Sequence, residues 1–140
     1  MKGKVLIVED ETIVAEDLKQ CLEDHGYEVI GIADSGPSAI EKAKEKTPHL
    51  ILMDVRIKGE LNGIETAIVL QSHFEDQIPV IFLTSFPESG FPYLKALDRY
   101  IYVNKPFIED RLLAAVKRAI ETRLDTGFGG GADAPAASDR

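Results

Sequence analysis

Polar side chains stand wherever the long apolar runs of this chain stop. "VLIV" (5–8) is followed by Glu9 and Asp10, and "LILM" (50–53) by Asp54. "VIFL" (80–83) is followed by Thr84 and Ser85, and "YIYV" (100–103) by Asn104, Lys105 and Pro106. One acidic run end has an ordinary explanation, because acids in the first turn of a helix interact well with the positive end of its dipole. Four polar run ends need another. Carboxylates within a few ångströms of each other raise one another's pKa, and a hard divalent cation relieves the repulsion. Mg2+ favours a few carboxylates together with waters and phosphate oxygens, and Mn2+ suits the same donors. A carboxylate in such a place can act as a nucleophile and form an aspartyl phosphate. Lys105 supplies a cation and Thr84 a hydroxyl for the equatorial phosphoryl oxygens. The set suits phosphoryl transfer to Asp54.

That chemistry requires the runs to be strands of one parallel sheet, with their carboxyl ends on a single rim. Uninterrupted apolar runs of this length read as strands buried on both faces. "EVIGIA" (28–33) is a fifth, more mixed candidate. Helical spacing fills the intervals. Val14, Leu18, Cys21 and Leu22 form one stripe, closed by Gly26, and Ala39, Ile40 and Ala43 form a second between Pro37 and Pro48. Ile64, Ala67, Ile68 and Phe74 mark a third helix, and Leu112, Leu113, Val116 and Ile120 a last one running to about Leu124. Pro87, Gly90 and Pro92 interrupt the segment before Tyr100, so a helix there starts no earlier than about Pro92 and is short. This segment is expected to be the most mobile of the folded part. Strand and helix alternate five times, which predicts an α/β, doubly wound five-stranded parallel sheet with helices on both faces and right-handed crossovers. Ligands of such sheets bind at the carboxyl ends of the strands. The folded domain is expected over 1–124. Residues 125–140, "DTGFGGGADAPAASDR", lack a periodic apolar face and read as a flexible tail or linker stub.

Composition narrows the function classes. With 44% apolar and 29% charged residues, the 140-residue chain is expected to be one globular domain. No apolar run approaches the roughly 20 residues of a membrane span. The apolar run near the N-terminus is also too short for a signal peptide, so a cytoplasmic protein is expected. A formal net charge of −8 without a basic run argues against direct nucleic-acid binding. Cys21 is the only cysteine, which forbids an internal disulfide, and it reads as a small buried hydrophobe. His25, His49 and His73 fall near element boundaries without an HExxH spacing and read as structural.

The ordered set "VEDE", "LILMDV", "FLTS" and "YVNKPF" resembles the response-regulator receiver domain, the phosphoacceptor half of two-component signalling, over residues 4 to about 124. The resemblance implies strand order 2-1-3-4-5. It implies Asp54 as the phosphoacceptor, and Mg2+ (or Mn2+) held by Asp10, Asp54, Glu9 directly or through water, and the backbone carbonyl of Val55. It implies Thr84 and Lys105 on phosphoryl oxygens, a cis bond before Pro106, and Tyr102 as an aromatic switch that turns inward when Thr84 moves. The implied donor is a sensor histidine kinase or phosphotransfer protein. The implied homodimer face is made by the fourth helix, fifth strand and fifth helix.

The chain departs from the family pattern after Asp54. Lys58 stands where most receivers have proline, and Gly63 comes about one residue late. In this family the residues two beyond the aspartate and the threonine influence self-dephosphorylation. Here they are Arg56 and Phe86, which do not readily position a water, so a slowly decaying phosphoprotein is expected. Two other readings are weaker. A phosphatase of the haloacid dehalogenase type wants an aspartate at position 56. A pseudo-receiver, an interaction module that keeps the fold without the chemistry, would not need the intact acidic pair, Asp54, Thr84 and Lys105.

Overall fold

The computed structural model describes residues 2–74, 78–97 and 99–124, so the expected tail at 125–140 lies outside the described residues. The chain runs β1 (Lys4–Val8), α1 (Thr12–Asp24), β2 (Glu28–Ala33), α2 (Gly36–Glu45), β3 (Leu50–Met53), α3 (Gly63–His73), β4 (Val80–Thr84), β5 (Tyr100–Asn104) and α4 (Glu109–Leu124). The five strands form one parallel sheet in the order β2-β1-β3-β4-β5. Each apolar run is a strand, as its lack of polar alternation predicts.

Alternate residues of each central strand feed two separate cores. Leu6, Val8, Ile51, Met53 and Phe82 meet Ala39 and Ala43 of α2 and Ile64, Ala67 and Leu70 of α3. Val5, Ile7, Leu50, Leu52, Ile81 and Leu83 meet Ala15, Leu18 and Leu22 of α1 and Leu112, Val116 and Ile120 of α4. Each buried leucine-sized side chain contributes roughly 1.5–3 kcal/mol, so the sheet is the rigid plate on which the rim residues are mounted.

Local signals set the helix ends. Gly26, at φ +90°, turns the chain out of α1 into β2, a backbone conformation that a side chain resists. Ser35 caps α2 through Ser38 N–H, and Pro37 lies in the first turn. Asn62 and Glu65 form a reciprocal capping box at the start of α3.

One expected helix differs. The described residues contain four α-helices, and the fourth crossover carries two 3-10 turns instead, Glu88–Gly90 and Pro92–Ala96. Pro92 begins the second turn, but the stretch before Tyr100 is too short to repay α-helix nucleation. The expected dimer face therefore presents 3-10 turns, β5 and α4, and among the described residues no α-helix lies between β4 and β5.

Candidate functional site

The rim is built strand by strand. Val8 of β1 and Met53 of β3 are register partners, and the Asp54 N–H donates to the Val8 carbonyl at 3.0 Å. Glu9 and Asp54 therefore leave the sheet side by side. Lys105, just past β5, is drawn in by its own N–H, which donates to the Thr84 carbonyl at 2.8 Å. Its ammonium lies 3.3 Å from Asp54 Oδ2 and 3.4 Å from Glu9 Oε1. The Lys105–Pro106 peptide is cis.

Burial sets the electrostatics. The Glu9 side chain is 3% exposed, that of Asp54 13% and that of Lys105 22%. Burial pushes the Glu9 carboxyl above its ordinary pKa and the Asp54 charge adds to this. The Glu11 N–H, donating to Glu9 Oε2 at 3.1 Å, and Lys105 offset only part of it. Burial works against the Lys105 charge, but the Asp54 and Glu9 carboxylates together outweigh it and raise its pKa. The ammonium is held charged between two acids.

Asp54 is fixed from behind. The Gly63 N–H donates to the Val55 carbonyl at 2.7 Å, so that carbonyl is engaged with α3. A Cβ at Gly63 would collide with the Asp54 backbone oxygen. The first residue of α3 thus rests against the backbone of the central acid, a contact only glycine permits. Between them, Lys58 bridges back to Ser35, and its ammonium reaches Asp34 Oδ2 at 3.2 Å. That pairing shapes the loop in which the proline is missing.

The other sequence-predicted residues lie around this centre. Asp10 is half-buried directly after Glu9. Thr84 is fully buried at the end of β4, with its Oγ1 accepting from Phe86 N–H at 3.4 Å. Tyr102 is buried against Phe82 and donates from its hydroxyl to the Phe86 carbonyl at 2.9 Å. Burial, then Glu88, Asp54 and Tyr100, push its phenol up to about 12. Arg56 places its N–H 3.3 Å from Asp54 Oδ1 and its guanidinium 5.0 Å from the Phe86 ring centroid.

Two features escaped the sequence reading. Phe86, Phe91 and Tyr93 make successive edge contacts at 6.4 and 6.3 Å, and Asn62 Nδ2 donates to the Tyr93 hydroxyl at 2.7 Å. This aromatic strap ties the fourth crossover to the cap of α3. A cleft of about 580 Å³ also runs along β5 and α4, lined by Tyr102, Asn104, Phe107, Ile108 and Arg111 among others, and none of the three acids lines it.

The family model described as response regulator receiver domain matches residues 5–117. The chain belongs to the response-regulator receiver family. It is 33% identical over 121 residues to the phyllosphere-induced regulator PhyR of Methylorubrum extorquens, covering 86% of this chain and 44% of that one. It is 32% identical over 118 residues to the transcriptional regulatory protein PdtaR of Mycobacterium tuberculosis, covering 84% and 56%. The chain thus spans about half the length of these curated relatives. Among solved structures, the N-terminal domain of a response regulator/sensory box/GGDEF protein from Carboxydothermus hydrogenoformans superposes with a TM-score of 0.76 at 35% identity, covering 84% of this chain and 94% of that one. The receiver domain is a signalling module, and its relatives work with kinases or output partners.

Receiver domains generally bind Mg2+ at their acidic pocket. Glu9 and Asp54 bring carboxylate oxygens, the donors such an ion takes, to adjacent strand ends, and a divalent cation there would offset the burial that raises the Glu9 pKa. Asp10 follows directly, but among the described residues Glu9, Asp10 and Asp54 do not bring three ligand atoms within 4.8 Å of one another. No helix among the described residues is long and apolar enough to cross a membrane.

Proposed function

We propose that this receiver accepts a phosphoryl group on Asp54 from the phosphohistidine of a sensor kinase or phosphotransfer protein in the cytoplasm, and that the modified rim controls a partner. The observation that carries this reading is the Lys105 ammonium seated between Asp54 and the buried Glu9. An Asp54 oxygen attacks phosphorus while the P–N bond to the donor imidazole breaks. The imidazole keeps the electron pair and takes up a proton. Mg2+, held by Glu9, Asp10 and Asp54, would supply positive charge for the phosphoryl oxygens. Lys105 pairs with one of those oxygens, and the Thr84 hydroxyl with another.

Phosphorylation replaces the single charge of the Asp54 carboxylate with a phosphoryl group that carries about −1.5 to −2 charges and three acceptor oxygens. A shift of the Thr84 hydroxyl toward the new acceptors would pull on the Phe86 N–H that donates to it at 3.4 Å, and the Phe86 carbonyl in turn holds the Tyr102 hydroxyl. The modification thereby acts on the fourth crossover and on the β5–α4 face, where a partner or a second copy would dock. The Arg56 guanidinium lies over the Phe86 ring, and the Arg56 N–H donates to Asp54 Oδ1; a pair so placed would hinder a water from attacking the phosphoryl group in line, which supports a phosphoryl lifetime of many minutes.

The test is incubation with acetyl phosphate and Mg2+, followed by intact mass spectrometry. One added phosphoryl mass, absent from Asp54→Ala, is expected. No mass gain with or without Mg2+ would overturn the reading and leave a phosphorylation-independent interaction module.

A further inference from the structure

A second cluster of potential metal ligands lies outside the acidic rim. One ligand atom each of Cys21, His25 and Glu109 fall within 4.8 Å of one another. Cys21 and His25 are one helical turn apart at the end of α1, so they share a face. Glu109 opens α4, and α1 and α4 cover the same face of the sheet. The Glu109 carboxylate lies near the Cys21 thiol and, after burial, helps to push its pKa up, so groups from two helices already face each other. Cys21 is half-buried, whereas His25 and Glu109 are exposed.

We infer that Cys21, His25 and Glu109 form a binding site for a divalent transition-metal ion of the Zn2+ class, distinct from the acidic rim. The donor types decide the ion. One sulfur, one imidazole nitrogen and one carboxylate oxygen suit zinc, whereas Mg2+ and Ca2+ require oxygen-rich shells. His25 Nδ1 lies 2.8 Å from the Cys21 carbonyl, so Nδ1 carries the hydrogen and Nε2 keeps its lone pair. A backbone carbonyl on the other ring nitrogen is the usual support for a metal-bound histidine.

Spacing and charge agree. Tetrahedral zinc bonds of about 2.0–2.3 Å place ligand atoms about 3.3–3.8 Å apart, so side-chain rotations of about an ångström close the site. Binding replaces the thiol proton with the metal and releases that proton to solvent. Thiolate, carboxylate and neutral imidazole then balance the two positive charges. Asp24 and the negative end of the α1 dipole add attraction for a cation. The exposed side leaves the fourth position to water. The bound ion would clip the end of α1 to the start of α4, four residues after Lys105.

Co2+ and Zn2+ are the probes, titrated into the full chain with excess Mg2+ present to occupy the rim. The expected result is one tight equivalent of Co2+, with a sulfur-to-cobalt charge-transfer band in the near ultraviolet that Zn2+ displaces. Cys21→Ser should abolish the band. His25→Gln and Glu109→Gln alter exposed residues, so folding is spared, and each should weaken binding about tenfold or more. Asp54→Asn should bind as the parent does. No charge-transfer band, a band indifferent to both His25→Gln and Glu109→Gln, or binding lost in Asp54→Asn would each overturn the site.

Discussion

The two halves of the rim are held by different means. On the β1–β3 side, Asp54 is braced by backbone: its N–H on Val8, its carbonyl oxygen against Gly63, and the capping box of α3 just beyond. On the β4–β5 side, the connection from Thr84 to Tyr100 is two 3-10 turns held by side-chain tips. These are the Tyr102 and Tyr93 hydroxyls, Asn104, and rings meeting edge to face. Backbone against backbone has one arrangement, whereas tips and rings can exchange partners at about 1 kcal/mol each. The proposed phosphoacceptor sits on the side braced by backbone, and the proposed response falls to the side held by side-chain contacts.

The largest effect should come from the rigid side. Gly63→Ala forces a methyl onto the Asp54 backbone oxygen and within 2.9 Å of the Met53 side chain. Urea unfolding should show a loss of roughly 3 kcal/mol or more, the class of a core backbone clash, with Asp54 displaced and phosphorylation reduced in parallel. A stability within 1 kcal/mol of the parent (about the scale of an ordinary surface substitution) would show that the brace yields.

On the adaptable side the matching change should be mild. Tyr102→Phe removes one donor from the Phe86 carbonyl, but Asn104 Nδ2 still donates to it at 2.9 Å. No acceptor is orphaned, so a loss of about 1 kcal/mol is expected in the same urea experiment. A loss as large as that of Gly63→Ala would erase the distinction between the two sides.

The strand-end residues of both sides were legible in the sequence. Glu9 and Asp54 on one side, and Thr84 and Lys105 on the other, could be placed because each follows an apolar run, and parallel strands end on one rim. Gly63 was noted only as coming about one residue late in the family pattern, because its contact with Asp54 is tertiary and leaves no periodic trace. The fourth crossover was read only as short, since prolines mark where an α-helix cannot begin and not what forms in its place. The strap from Phe86 to Asn62 joins residues with no local pattern in common. Cys21 and His25 do carry a local sign, the i, i+4 spacing, but Glu109 joins them only once α1 and α4 share a face.

A pH series probes the electrostatics of the rigid side. Burial raises the Glu9 pKa in the folded chain, so the folded state binds that proton more tightly than the unfolded state does. The stability tied to this group is therefore full below the ordinary glutamate pKa and is lost as pH rises through the raised one. Glu9→Gln lacks this titration. With Mg2+ chelated, the stability of the parent relative to Glu9→Gln should fall as pH rises from about 4 toward neutrality. A difference that grows with pH would mean that Lys105 overcompensates the burial.

The smallest effect joins the two halves. The Arg56 guanidinium over the Phe86 ring is the one contact in which the loop after Asp54 meets the residue after the β4 strand end by a charge on a ring. Its partners are partly solvated, so a double-mutant cycle of Arg56→Ala and Phe86→Ala should give a coupling of about 0.5–1 kcal/mol. Stability alone understates its interest. If the stack screens Asp54, each single variant should shorten the phosphoryl lifetime, and the double variant should shorten it no further than the more severe single one. Additive shortening would mean that Arg56 and Phe86 act separately, and that the coupling of the two halves lies in their other links, Lys105 on the two acids and Tyr93 on Asn62.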